Sequence, residues 1–181
     1  MRFRRENSLA VVIDIQERLF PHIYGHEELA QNALRLISGL KALEVPFLLT
    51  QQYTKGLGPT IPAIRDELPE TEPVEKISFS CCGSPVFMGL IEKLNPEVLF
   101  LFGIETHVCV LQTALDLQVG GRLTPVVVQD CTSSRKPNDK QVALSRLAAE
   151  GIRITTYESL LFELCRSADA DAFKSISRIV K

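Results

Sequence analysis

The sequence carries no surplus of either charge: 20 lysines and arginines stand against 22 aspartates and glutamates, scattered along the chain, for a formal net charge of −2. That excludes the basic footprint of a nucleic-acid binder or of a protein held to anionic membrane. No apolar run approaches the ~20 residues a membrane helix needs. The opening is basic (Arg2, Arg4, Arg5), but the apolar run after it, Leu9–Ile13, is short, reaches Asp14 and lacks a small-residue cleavage site. It reads as a buried strand and not as part of a targeting signal. Cys-x-x-Cys pairs are missing too, and the five cysteines (Cys81, Cys82, Cys109, Cys131, Cys165) are an odd number with two adjacent. Zinc knuckles, thioredoxin-type sites and a disulfide framework are therefore not indicated, and a reducing, cytoplasmic location is expected. Repeats and low-complexity segments are absent, and 45% hydrophobic content suffices for one core, so residues 1–181 read as a single domain.

Apolar, β-branched runs recur between stretches of helical periodicity: Leu9–Ile13, Pro46–Thr50, Val98–Phe102, Thr124–Val128 and Ile152–Thr155, with Glu75–Ile77 as a short sixth. This alternation predicts a three-layer α/β/α sandwich, Rossmann-like, around a mostly parallel sheet of six strands. The spacing of Leu29, Ala33, Leu36, Ile37, Leu40 and Leu43 predicts a helix over 28–43. Val108, Leu111, Leu115 and Val119 predict a helix ended by Gly120-Gly121, and Asn138 or Asp139 is placed to cap another that stops at Gly151. Ala172, Phe173, Ile176 and Ile179 mark a last helix that covers the sheet edge or a neighbouring subunit. Gln51–Pro73 is broken by Gly56, Gly58, Pro59, Pro62 and Pro69, and reads as a long functional loop, a lid or an interface arm.

In a parallel sheet ligands gather at the carboxyl ends of strands. Asp14, Lys76, Cys109 and Asp130 lie at or just past such ends. A carboxylate after four apolar residues is costly to bury alone, which gives Asp14 and Lys76 a reason to be neighbours. Phe102-Gly103-Ile104-Glu105-Thr106-His107-Val108-Cys109-Val110 reads as strand, tight turn, helix start. A cysteine there meets the positive end of a helix, which favours thiolate and offers N–H groups to an oxyanion. Taken alone, Cys109 also reads as a small buried hydrophobe, Asp14 as a turn cap and Lys76 as a strand-edge charge. Cys81, Cys82, Cys131 and Cys165 lack the strand-to-helix position and read as packing residues. His22 and His26 are spaced as metal ligands, but Pro21 and Gly25 interrupt the helix and no third ligand is evident. His107, two residues from Cys109, diverges from it and reads as a rim or interface residue. Phe20, Tyr53 and Phe79, near strand ends, are candidate pocket-lining residues.

Three motifs in this order, Val11-Val12-Ile13-Asp14-Ile15-Gln16, Glu75-Lys76 with Ser78-Phe79, and Gly103 to Val110, give the chain a resemblance to the isochorismatase-like (cysteine hydrolase) superfamily, nearest its small isochorismatase-domain branch. The resemblance spans about Leu9 to Cys165. It implies Cys109 as nucleophile, Asp14 as acid/base, Lys76 as the stabilising cation, a cis Ile104–Glu105 peptide, and an oxyanion hole from the backbone N–H groups of Glu105 and Cys109. It further implies homo-oligomerisation. Nicotinamidases of that superfamily hold a metal with an aspartate and histidines after the second strand, where this chain reads Thr50-Gln51-Gln52-Tyr53-Thr54-Lys55-Gly56-Leu57-Gly58. No arginine pair suited to the two carboxylates of isochorismate is evident. The expectation is a hydrolase without metal or other cofactor, acting on a small amide or related carbonyl compound, with no nucleic-acid or membrane partner. The rival from another class is a catalytically silent binding or assembly protein on the same fold, and a weaker third is a redox sensor pairing Cys109 with Cys131 or Cys81.

Overall fold

The computed structural model describes residues 2–181. In chain order the described residues form β1 (Ser8–Ile13), α1 (His26–Ala42), β2 (Phe47–Gln52), α2 (Thr54–Leu57), α3 (Pro62–Glu67), β3 (Pro73–Lys76), α4 (Pro85–Leu94), β4 (Val98–Ile104), α5 (Leu111–Gln118), β5 (Thr124–Ser133), α6 (Pro137–Ala149), β6 (Arg153–Thr155), α7 (Tyr157–Cys165) and α8 (Phe173–Ile179). The six strands make one sheet, ordered β3-β2-β1-β4-β5-β6. Every pairing is parallel, so the mostly parallel sheet expected from sequence is wholly so.

Alternation along the central strands sorts the core into two halves. Ala10, Val12, Phe100, Phe102, Val126 and Val128 point to the layer of α1, α3, α7 and α8. Leu9, Val11, Ile13, Leu99, Leu101 and Val127 point to α4, α5 and α6. Strands sandwiched in this way must be apolar on both faces, which is why β1 and β4 read as unbroken apolar runs.

Four local expectations are corrected. Gln51–Pro73 is not an irregular lid. It contains α2 and α3, and Ile61, Ile64 and Leu68 are buried in the core, while residues 57–61 hydrogen-bond to the backbone of Ile15, Glu17 and Arg18. The buried stripe of the fifth helix runs through Val110, Leu111, Ala114 and Leu117, whereas Val119 is exposed. The cause is a wide turn at Thr106–Val110, where the Leu111 N–H reaches the Thr106 carbonyl; one extra residue in the turn rotates everything after it. α6 starts at Pro137, with Asn138 and Asp139 already inside its first turn; proline needs no N–H partner there. α8 packs on α1 and α7 and not on the sheet edge, with Ile176 fully buried between them and Lys174, Ser175 and Arg178 exposed on its outer face.

The strand order reverses between β1 and β4, and the carboxyl ends of both point into the crevice that such a switch creates. Gly103 makes the junction tight. It sits opposite Ile13 with φ of +128°, and a Cβ there would lie 2.0 Å from the Ile13 carbonyl oxygen. Gly103→Ala is therefore expected to cost roughly 3 kcal/mol or more, as overpacking and backbone strain act together, and urea unfolding measures it.

Candidate active site

Asp14 ends β1 with φ of 53°, a left-handed conformation that aspartate tolerates better than most residues. The turn aims its carboxylate sideways along the strand ends. Thr50, within β2, donates its hydroxyl to Asp14 Oδ1 at 2.8 Å, and Lys76 Nζ donates to Oδ2 at 2.7 Å. Lys76 lies two strands away, about 10 Å at ordinary strand spacing, a gap its long side chain spans. Both charged groups are almost wholly buried, at 0% and 1% side-chain exposure, so each is the other's main compensation. The ammonium also donates to Gln52 Oε1 and to the carbonyls of Ser78 and Phe79. Burial by itself would lower the Lys76 pKa, but the negative charge of Asp14, with the nearby Cys109 and Cys81, carries it above its ordinary value.

Cys109 stands in the wide turn after β4 and is buried. The Ile104–Glu105 peptide ahead of it is cis. The neighbourhood of Cys109 works against the helix-end effect expected from sequence. Its pKa is raised, first by burial and then by the charge of Asp14, with Lys76 acting in the opposite direction and failing to offset them. Both leading causes favour the thiol over the thiolate. Cys81, read as a packing residue, is buried beside the same cluster with its sulfur 4.0 Å from the Thr50 hydroxyl; burial pushes its thiol up to about 12. All five cysteines are free thiols.

Asp14 and Cys109 line a cavity of about 260 Å³ whose walls include Leu19, Leu57, Phe79, Ile104 and Val108. Of the three aromatic candidates only Phe79 lines it. Phe20 turns away against His26, with ring centroids 5.1 Å apart, and leaves the wall to Leu19. Tyr53 is half exposed and lies across Gly56, so Gln52 and Leu57 take its place. Asp130 is corrected as well: β5 runs on to Ser133, which places Asp130 within the strand, where it accepts the Tyr157 N–H at the start of α7. His107 bonds to Ser134 at 2.9 Å and faces Asp139, away from Cys109.

Sequence reasoning missed three residues. Gln16 is buried and clasps the chain after β2, donating to the carbonyls of Gln52 and Gly58 and accepting the Gln52 N–H. Gln52 positions Lys76 through Oε1 and donates to the Ile77 carbonyl. Arg135 lines the cavity and binds Glu105, with Nε and the backbone N–H both donating to its carboxylate. The signal for Arg135 was the strand continuing through Cys131-Thr132-Ser133, which puts it just past a carboxyl end. The side chains that end β2 do not fit a metal, because Gln51 is engaged by Thr60 and Gln52 by Lys76 and Ile77. Wider clefts of about 840 and 780 Å³ lie near the N-terminal segment and before α8; charged residues such as Arg4, Glu6 and Arg166 share their linings with apolar ones and, in the second, with Cys165, and Asp14, Lys76 and Cys109 are in neither.

Residues 8–159 match the family described as Isochorismatase domain. Isochorismatase domain-containing protein 2A of Mus musculus is 38% identical over 181 residues, covering 99% of this chain and 85% of its own. Among solved structures, one described as MAR1 ribonuclease from Caenorhabditis elegans superposes with a TM-score of 0.92 at 35% identity, covering 99% of this chain and 92% of that one. The YcaC gene product of Escherichia coli, described as an octameric hydrolase of unknown specificity, shares the fold with a TM-score of 0.91 at 19% identity, over 99% of this chain and 90% of its own.

Proposed function

The chain belongs to the isochorismatase family, and we propose that it is a metal-independent cysteine hydrolase acting on a small amide or related carbonyl compound through a Cys109 thioester. One observation supports the reading: Asp14 and Cys109 line one cavity at the switch point of the sheet, and Lys76, buried outside its lining, is paired with Asp14.

The raised thiol pKa supports the following order of events. In the free protein Lys76 serves the Asp14 carboxylate and the thiol keeps its proton. As Cys109 Sγ attacks the substrate carbonyl, its proton passes to Asp14. That transfer removes the charge that opposed the thiolate and leaves Lys76 to stabilise the sulfur, so one cation supports either anion in turn. The backbone N–H groups of Glu105 and Cys109 receive the oxyanion. Asp14 then returns the proton to the leaving amine, and a water activated by the same carboxylate cleaves the thioester. Assembly into a homo-oligomer belongs to the same proposal.

A reading in which RNA is the substrate, prompted by the description of the C. elegans neighbour, finds less support. The cavity of 260 Å³ holds the volume of only about nine waters at ~30 Å³ each. Its lining holds one cationic side chain, Arg135, and one aromatic, Phe79, where a single-stranded nucleic acid needs a basic groove with several stacking platforms.

The test is ammonia release from a panel of small primary amides, with the acyl adduct on Cys109 sought by mass spectrometry. Cys109→Ser is expected to lower turnover by about 10³-fold or more, as losses of a covalent nucleophile do. Full activity in that variant would remove Cys109 from the mechanism. No release and no adduct from any amide would leave the binding or assembly protein as the better reading.

A further inference from the structure

Lys76 has more acceptors than it can use at once. An ammonium donates three hydrogen bonds, yet four oxygens stand within reach: Asp14 Oδ2 at 2.7 Å, Gln52 Oε1 at 2.9 Å, the Phe79 carbonyl at 3.0 Å and the Ser78 carbonyl at 3.2 Å. All but Asp14 are neutral, so they hold the cation whatever the protonation of the carboxylate. Two of them are backbone groups just after β3. Gln52 is the side chain among them, and its orientation is imposed. Its Nε2 donates to the Ile77 carbonyl at 2.6 Å, which turns Oε1 toward the ammonium. Gln16 holds its backbone, accepting the Gln52 N–H at 2.7 Å and donating to the Gln52 carbonyl at 3.0 Å. The charged or titratable groups that face Lys76 are Asp14 from β1, Cys109 from the turn after β4 and Cys81 from between β3 and α4. Once Asp14 takes up a proton, no carboxylate among them compensates the ammonium. A buried amine then sheds its own proton unless neutral oxygens hold it.

We propose that Gln52 is a positioning residue: with the Ser78 and Phe79 carbonyls it keeps Lys76 an ammonium while Asp14 is neutral, so that Lys76 stabilises the sulfur and never supplies a proton itself. The inference rests on the hydrolase reading and specifies its proton path. The S–C bond forms as the Cys109 proton moves to Asp14, the same proton leaves with the amine as the C–N bond breaks, and Lys76 neither gains nor loses one.

NMR titration of the Lys76 side chain in the full chain tests it, with Asp14→Asn standing for the protonated carboxyl, since both are neutral and both keep one carbonyl oxygen. Lys76 is expected to remain charged at about pH 7.5 in Asp14→Asn, and adding Gln52→Met to weaken its proton affinity about tenfold or more. Methionine keeps the length and flexibility of glutamine without its amide. Gln52→Leu, a second apolar replacement, is expected to do the same and decides the question if the methionine variant does not fold. A glutamine that only packs changes stability and leaves the titration of Lys76 in place. The proposal is overturned if Lys76 is already neutral at about pH 7.5 in Asp14→Asn, or if loss of the amide weakens its proton affinity less than about threefold. Ammonia release by the unsubstituted protein is read separately. A charged, Gln52-dependent Lys76 in a chain that releases no ammonia sinks the hydrolase reading and leaves the cradle standing; release with an unmoved titration sinks the role of Gln52 alone.

Discussion

Asp14→Asn is expected to abolish turnover while making Cys109 more reactive toward iodoacetamide at neutral pH. The two effects have opposite signs because Asp14 does two things. As the proton acceptor and donor of the proposed reaction it contributes about 10²–10⁴ to the rate, and an amide can do neither task. As a buried negative charge beside the thiol it holds the Cys109 pKa up. Asparagine removes that charge, so the pKa falls and the thiolate fraction at pH 7.5 rises; a tenfold rise corresponds to about 1.4 kcal/mol of differential interaction. The replacement is nearly isosteric, and asparagine also tolerates the positive φ of residue 14. Its amide oxygen can still accept from Lys76 while its NH₂ faces the Thr50 hydroxyl, so the architecture survives. The measurement is the pH profile of alkylation at Cys109, mapped by mass spectrometry. In the unsubstituted protein the profile is expected to rise only above the ordinary cysteine range. Slower alkylation in the Asp14→Asn variant would contradict the charge arrangement described here.

Lys76→Met should act on the thiol in the reverse direction and on stability far more strongly. Lys76 lowers the Cys109 pKa, so its loss pushes the thiol further up and slows alkylation at any given pH. It also strands a carboxylate at 1% exposure, together with the Gln52 amide oxygen and the Ser78 and Phe79 carbonyls that the ammonium served. Removing one partner of a buried ion pair costs about 3–5 kcal/mol, and urea unfolding should show a loss of that size. Adding Asp14→Asn should recover much of it, because the stranded charge is then gone, and the double-mutant cycle should deviate from additivity by more than about 1 kcal/mol. Strict additivity would mean that the pair does not couple in solution. The pH dependence follows from the Lys76 shift. With the folded pKa above the ordinary 10.5, the pair's contribution is full below that value and is lost as pH rises through the folded one.

The opposite signs of the two variants on one thiol depend on a feature that residue identity alone does not carry. The sequence names Asp14, Lys76 and Cys109 but leaves open which of the two neighbours dominates the sulfur's electrostatics. That is set by burial and by the placement of the two charges around the sulfur, both tertiary facts.

The primary sequence by itself determined the α/β class, the number of strands and their places along the chain, and the candidates at their carboxyl ends. The reason is that these rest on local periodicity: a strand buried on both faces must be an apolar run, as Leu9–Ile13 is, and a polar residue just beyond it stands out. Only the tertiary structure decided the rest. The wide turn at Thr106–Val110 rotated α5 by a residue, and β5 ran five residues past its last valine, moving Asp130 out of the crevice and Arg135 into it. Phe20 and Tyr53 gave way to Leu19, Gln52 and Leu57 because a side chain's direction after a strand end depends on the turn it enters, not on its distance along the chain. The charge state of Cys109 was decided the same way: a helix end is visible in sequence, but the depth of burial and a carboxylate from a strand 95 residues earlier are not.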